Sequence, residues 1–314
     1  NQANVRLAYM IKLVAKIVRL LIKGSRRLVR VLSNIHAKLD NGFDLENHNQ
    51  SVVRSTSVHN MKNDADEIYY TKQYWHHIED NLNKLMVSKS GRFLDLGCGQ
   101  GRLTLPLAEW TDGARITGVD LSELAIQNAN INIPNSADPI EFLCSDIADY
   151  LGNIESNSVD AVFFFEVSFF LPNCEDVLCE IKRVLKADGV LFASFRTRYF
   201  NALCCVQDAL WSSVEMVINQ STGRLLASET LFNWNSSEEL KELLCHKLGL
   251  FLCDFRGIGC CSGISGDPHS KIARPSLLNN YEKDQLMKLE DALGLDVPDA
   301  GRYIFTVAKK RGDV

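Results

Sequence analysis

Apolar residues along this chain fall into two alternating periods. Short, nearly continuous apolar runs occupy Gly91–Leu96, Arg115–Asp120, Ile140–Asp146, Ser158–Glu166 and Leu185–Phe192, lengths that suit buried strands. Spacing of three to four residues predicts helices at about Arg102–Trp110, Glu123–Asn130, Glu175–Leu185 and Glu238–Leu248, with one more over Ala65–Lys84 that carries Tyr69, Tyr70, Tyr74 and Trp75. Strands alternating with helices predict an α/β fold with a mostly parallel sheet covered on both faces. Gly249–Ile258 and Arg302–Lys309 read as a closing pair of strands at the sheet edge. Two segments break the repeat. Residues 197–235 combine a helical pattern with an exposed-looking aromatic set, Tyr199, Phe200, Trp211, Phe232 and Trp234, and residues 263–294 separate the last two strands. Insertions at the carboxyl edge of such a sheet build acceptor pockets, so the first is the candidate lid.

The first strand runs directly into Gly97-Cys98-Gly99-Gln100-Gly101 and then a helix. Three glycines at alternate positions let the backbone reach left-handed dihedrals and let a ligand lie against the main chain. The spacing differs from the GxGxxG of dinucleotide folds and suits a smaller ligand. The second run ends in Asp120, about 20 residues on, where a carboxylate can accept the hydroxyls of a ribose. The third ends in Asp146 and the fourth in Glu166. Four successive strands therefore present polar groups at their carboxyl ends.

These residues carry a family resemblance. Phe93–Gly101 resembles the first motif of the class I S-adenosylmethionine-dependent methyltransferases, Val119-Asp120 the second, Cys144-Ser145-Asp146-Ile147 the third and Asp160–Pro172 the fourth; Leu185–Phe192 is similar to that family's turn into strand five. The resemblance runs from about Glu67 to the end of the chain. It implies a Rossmann-like sheet of seven strands with the last antiparallel, S-adenosyl-L-methionine as cofactor with S-adenosyl-L-homocysteine as its product, and no metal. The cofactor site it implies comprises Tyr70, Asp95, Gly97, Cys98, Gly99, Gly101, Asp120, Leu121, Asp146, Ile147 and Glu166. Tyr70 and Tyr74 sit on a helix that, in the family, folds over the methionine end of the cofactor; core packing at i, i+4 is the equal alternative.

Methyl transfer from a sulfonium needs alignment and exclusion of water more than covalent machinery, although an oxygen or ammonium acceptor must also lose a proton. Glu166, His76 and His77 are the candidate catalytic residues, with His269 also in view, against surface or packing roles for the histidines. This chain reads Val167-Ser168-Phe169-Phe170-Leu171-Pro172 where the family often carries a histidine before the leucine, so a histidine-dependent mechanism does not carry over from that motif. The fourth motif also lacks the Asn/Asp-Pro-Pro-aromatic sequence of relatives that methylate exocyclic amines of bases. Arg196 and Arg198, just past strand five, are candidates to clamp an acceptor carboxylate or phosphate, or to solvate a loop.

The chain has 314 residues, 46% hydrophobic, enough for a substantial core. Its net charge of −5 conceals an asymmetry: residues 1–39 hold nine Lys or Arg and no Asp or Glu, so the remainder carries −14. An acidic body argues against a nucleic-acid substrate. The cations repeat every three to four residues opposite Leu13, Val14, Ile17, Val18 and Leu21, predicting a basic amphipathic helix over residues 5–39, or two hinged near Gly24. Docking on the acidic body or on a second copy, contact with an anionic membrane surface, and organelle targeting all suit such an arm. No uncharged run there approaches the roughly 20 residues of a membrane span. Asp40–Asn63 reads as a polar linker, so the expected division is an arm and linker over 1–63 and a methyltransferase domain over 64–314 with its lid at about 197–235. Ten cysteines without CxxC spacing indicate reduced thiols and a cytoplasmic protein rather than a zinc site. The function expected is methylation of an oxygen or nitrogen on a small molecule. A lipid or quinone acceptor at a membrane, or a cofactor-binding partner subunit without catalysis, are the alternatives.

Overall fold

The computed structural model describes residues 45–56, 64–133, 139–225 and 230–311; the arm expected over residues 5–39 lies outside them. Among the described residues, seven strands form one sheet in the order β3-β2-β1-β4-β5-β9-β8: β1 (Arg92–Leu96), β2 (Arg115–Asp120), β3 (Ile140–Cys144), β4 (Val159–Phe164), β5 (Leu185–Arg196), β8 (Leu250–Ile258) and β9 (Tyr303–Lys310). The first five are mutually parallel, and β9 runs antiparallel between β5 and β8. β1 sits near the centre, with Phe93 paired to Ile116 on one side and Ala161 on the other.

Burial on both faces explains why these strands read as almost unbroken apolar runs. Alternate side chains feed two cores. Leu94, Leu96, Val162, Phe164 and Leu191 pack on one face, and Phe93, Phe163, Phe192 and Phe305 on the other, where the Phe163 and Phe192 rings stack at 5.0 Å. Helix α2 (Ala65–Lys84) covers the second core and starts at Asp64, whose carboxylate accepts the N–H groups of Asp66 and Glu67. The helices α3 (Thr104–Trp110), α4 (Glu123–Ile131), α5 (Ile147–Gly152) and α6 (Cys174–Val184) follow their strands. The helix expected at Glu238–Leu248 is α9 (Ser237–Lys241) continued by a π-helical turn over Glu242–Lys247.

Two sequence expectations need correction. Leu45–Thr56, within the stretch read as linker, is a helix, α1. Its polar composition hides a docking face built on His48, which is buried: its Nε2 lies 2.6 Å from the Phe170 carbonyl, and its Nδ1 accepts the Leu231 N–H at 3.1 Å. Secondly, the insertion after β5 has a core of its own. It comprises α7 (Arg198–Gln207), α8 (Val214–Asn219) and the two-stranded β6 (Thr222–Gly223) and β7 (Phe232–Asn233). Trp234 is fully buried there among Cys205, Leu210 and Val217, with its indole N–H on the Gln220 carbonyl, and Phe200 is buried too. Only Tyr199 and Trp211 of the aromatic set are exposed. The segment between the last two strands, as expected from the sequence, separates them; it carries helix α10 (Asn280–Asp296), which packs on β8 and sends Glu290 into the interior.

Candidate functional site

The turn after β1 folds around its own hydrogen bonds. The Val119 carbonyl accepts the N–H groups of Gly97 (2.7 Å) and Cys98 (3.0 Å), and the Cys98 carbonyl accepts that of Gly101 (2.9 Å). Asp120 Oδ2 accepts Gly99 N–H at 2.8 Å, and its Oδ1 accepts Ser122 N–H at 2.8 Å. Most donors of the turn are thus used internally. What faces outward is bare backbone suited to close approach by a sugar or base, not a ring of N–H groups for a pyrophosphate. Gly97 (φ 77°) and Gly99 (φ 53°) both occupy left-handed conformations, yet a Cβ at Gly97 would meet Val167 at 2.7 Å, whereas one at Gly99 would meet nothing within 4 Å. Gly97 is required by the fold, and Gly99 leaves open space.

That space belongs to a cavity of about 400 Å³ at the carboxyl ends of β1, β2, β4 and β5. One end is walled by Gly97–Gln100, Asp120, Leu121, Leu124, Ala125, Asn128, Asp146 and Ile147. Asp146 caps α5, accepting Ala148 N–H at 2.8 Å and Asp149 N–H at 3.3 Å. Burial raises the Asp120 carboxyl above its ordinary value, while its two backbone N–H partners pull it back down.

The other end combines charge with aromatic rings. Arg102, which lines the cavity just past the glycine turn, bridges Glu67 at 3.2 Å and Glu166 at 3.1 Å. Burial alone would push the Glu166 carboxyl up, but Arg102, Arg302 and Arg196 outweigh it and hold the group below the ordinary carboxylate value. Glu166 itself is strained, at φ 55°, with its N–H on Ser194 Oγ at 2.8 Å. Arg302 pairs with Asp267 at 3.0 Å. Arg196 donates to Tyr303 OH at 2.8 Å. Phe165, Phe169, Phe170, Leu171 and Phe232 complete this wall, and α1 adds Asn49, Val52 and Val53.

Of the residues expected in the site, Gly97, Cys98, Gly99, Asp120, Leu121, Asp146, Ile147 and Glu166 line the cavity. Five expected residues do not. Tyr70 is buried in the core with its hydroxyl 2.9 Å from Ser262 Oγ, because packing takes the ring away from the cofactor end. Asp95 lies behind the turn and accepts Thr104 Oγ1 at 2.5 Å, anchoring the start of α3. Gly101 packs against Phe142 and Leu105. His77 is buried against Phe305 and paired with Asp291 at 3.1 Å, and His76 is exposed on the same helix; neither lines the cavity. His269 is likewise buried, edge-on to Phe200. Of the two arginines expected just past the fifth strand, Arg196 ends β5 and faces the cavity, and Arg198 pairs outside it with Glu239.

Sequence reasoning did not pick out Arg102, Arg302, Tyr303, Leu124, Asn128 or the α1 residues. Arg102 follows the glycines directly, and Leu124 and Asn128 share a helix face at i, i+4 just past Asp120; those signals were available. Arg302 and Tyr303 enter from nearly 200 residues away and carry no local signal.

A sheet in this strand order, with a glycine turn after β1 and an acid closing β2, defines the class I S-adenosylmethionine-dependent methyltransferase fold. Residues 94–193 match the family described as Methyltransferase domain. It is 30% identical over 117 residues to a sterol 24-C-methyltransferase of Gibberella zeae (37% of this chain, 29% of that protein). It is 32% identical over 121 residues to a ubiquinone biosynthesis O-methyltransferase of Idiomarina loihiensis (38% of this chain, 47% of that protein). The chain thus spans less than half the length of these curated relatives. Among solved structures, an S-adenosylmethionine-dependent methyltransferase from Listeria monocytogenes superposes with TM-score 0.52 at 20% identity, covering 77% of this chain and 98% of that one.

The residues at the glycine end fit the cofactor: Gly99 leaves room against the backbone, and each Asp120 oxygen, having accepted one N–H, has a further lone pair for a hydroxyl. Among the described residues, no group of three His, Cys, Asp or Glu is placed to hold a metal ion, and no helix is long and apolar enough to cross a membrane.

Proposed function

We propose that this protein transfers a methyl group from S-adenosylmethionine to an oxygen or nitrogen of a small-molecule acceptor. One observation carries the reading: a single cavity runs from the Gly97–Gln100 turn and Asp120 to the arginine and aromatic wall around Glu166. Asp120 would hold the ribose hydroxyls, Leu121, Leu124 and Ile147 would flank the adenine, and Asp146 would lie at its edge. When bound, the cofactor supplies an electrophilic methyl carbon on a sulfonium.

The rest is done by the chain. No histidine lines the cavity among the described residues. Glu166 is held as a weak base by Arg102, so its contribution is a fixed negative charge. The aromatic wall and Val52 and Val53 exclude water. Catalysis then rests on alignment and desolvation, which suits an acceptor that arrives as an anion or a free amine.

The apolar character of the acceptor end, with Val52, Val53, Phe169, Phe170 and Phe232, together with the sterol and ubiquinone pathways named for the two relatives, favours a lipid or quinone acceptor as the second reading. Co-sedimentation with anionic vesicles, with and without residues 1–39, tests it: equal binding of the two chains ends any role for the arm at a membrane. The primary test is calorimetry with S-adenosylhomocysteine followed by a screen of acceptors with radiolabelled methyl donor. Absence of heat defeats the cofactor assignment. Tight binding with no acceptor methylated leaves a cofactor-binding partner subunit.

A further inference from the structure

The acceptor end holds three guanidiniums, and they are not equivalent. Arg102 is shared by Glu67 and Glu166, and Arg302 is paired with Asp267. Arg196 makes its hydrogen bond to a phenol, Tyr303 OH, while Glu166, whose charge it also feels, is bonded to Arg102. Its Cζ lies 4.5 Å from the Phe169 ring, 4.7 Å from the Phe200 ring and 4.5 Å from the Tyr303 ring. Rings at these distances attract the guanidinium electrostatically and help hold it in place. A guanidinium has five N–H donors in a fixed fork. Arg196 also lines the cavity, next to Phe169, Phe232 and Tyr303.

Three rings and a phenol hold Arg196 at a wall that also carries Phe170 and Phe232. A planar, bidentate anion is the ligand group that its remaining donors fit.

We infer that the acceptor is a flat, aromatic or conjugated molecule bearing a carboxylate, and that Arg196 is its anchoring residue, with the ring lying among Phe169, Phe232 and Tyr303. The inference rests on the methyltransferase reading and narrows its substrate class. The carboxylate is the handle; the methyl goes to a separate oxygen or nitrogen on the same molecule.

The test uses the full chain with saturating S-adenosylhomocysteine, titrated by calorimetry with 4-hydroxyphenylacetate and with its neutral amide. The carboxylate should bind roughly tenfold to a hundredfold tighter than the amide, the ratio expected for a charge-assisted pair. Arg196→Met should erase that preference, and Arg196→Lys should keep part of it, with both variants still binding S-adenosylhomocysteine as the wild type does. Equal affinity for acid and amide in the wild type, no binding of the acid, or a preference that survives in Arg196→Met overturns the inference. Each of these results leaves cofactor binding intact and so differs from a failure of the methyltransferase reading, in which S-adenosylhomocysteine itself gives no heat.

Discussion

The carboxylate of Asp120 accepts the Gly99 N–H at 2.8 Å, so the acid that closes β2 also pins the turn that leaves β1. One side chain therefore sets both halves of the cofactor end. Asp120→Asn keeps an acceptor oxygen but loses the charge, and S-adenosylhomocysteine should bind roughly 10- to 100-fold more weakly. Asp120→Ala also frees the Gly99 N–H, and binding should disappear in calorimetry while the thermal transition survives. Unchanged affinity in Asp120→Asn would show that the ribose is held elsewhere.

Gly97 and Gly99 should separate stability from binding. A methyl at Gly97 collides with Val167 at 2.7 Å in a backbone with φ 77°, so Gly97→Ala should lose roughly 2–4 kcal/mol of unfolding free energy. A methyl at Gly99 has room, and Gly99→Ala should lose only about 1–2 kcal/mol to its left-handed backbone. That methyl enters the cavity, however, and S-adenosylhomocysteine affinity should fall tenfold or more if roughly 1.4 kcal/mol of contact is lost. Urea unfolding and calorimetry on both variants check the crossing pattern.

Two carboxylates beside the turn, Asp95 buried and Glu166 partly exposed, should respond to pH with opposite signs. Glu166 is pushed up by burial but pulled further down by Arg102, Arg302 and Arg196. Its contribution is present at neutral pH and is lost as pH falls through its depressed folded value, so the stability gap between wild type and Glu166→Gln should close in acid. Asp95 has only the Thr104 hydroxyl and the Arg102 charge against its burial, which with Asp120 raises it to about 6. The folded state then holds the Asp95 proton more tightly than the unfolded chain, and stability should rise as pH falls from about 6 toward the ordinary value of 3.8. Asp95→Asn should flatten that part of the profile, as read by urea midpoints between those limits.

The sheet was legible because its strands are buried on both faces. Runs such as Val159–Phe164 have no polar face to blur the period, and their parallel direction follows from the strand–helix alternation. The cofactor end was legible for a related reason: a turn that must expose backbone needs glycine, and a ribose needs an acid. The acceptor end was not. Arg302 and Tyr303 reach it from the last strand, Phe232 from the insertion, and Val52 from a helix whose composition reads as linker. Such residues meet only once the sheet is assembled, and nothing in their local sequence marks the meeting. Tyr70 and His77 were misplaced for the converse reason. Chemistry-bearing side chains on an amphipathic helix pack into a core as readily as they face a site, and α2 turns both inward.

Arg102 carries the largest single energetic commitment at the site. Its side chain, 10% exposed, lies between Glu67 and Glu166 and 5.6 Å from the Tyr74 ring centre. Arg102→Met would leave two carboxylates facing a protein interior without their cation, a change that should destabilise the fold by roughly 3–5 kcal/mol. Replacing all three groups, as in Glu67→Gln with Arg102→Met and Glu166→Gln, should recover much of that loss because no uncompensated charge remains. A triple variant no more stable than Arg102→Met in urea unfolding would show that packing of the guanidinium, and not charge compensation, holds this corner.

The last prediction concerns α1, which supplies Asn49, Val52 and Val53 to the cavity wall. His48 Nδ1 accepts the Leu231 N–H, so the ring proton sits on Nε2 and is donated to the Phe170 carbonyl. Burial depresses His48 below its ordinary value of 6.5, with a smaller contribution from Arg224, against the raising effect of the Phe170 bond. A histidine that folds in its neutral form stabilises its contacts fully above the unfolded value, and loses that contribution as pH drops below about 6.5. Amide exchange over Leu45–Thr56 should therefore quicken, after correction for intrinsic rates, as pH falls from 7.5 to 5.5. His48→Gln offers an acceptor and a donor that do not titrate, and should flatten that dependence. Exchange in α1 that tracks the sheet at every pH would mean that the helix opens only with the whole domain and that His48 does not govern it.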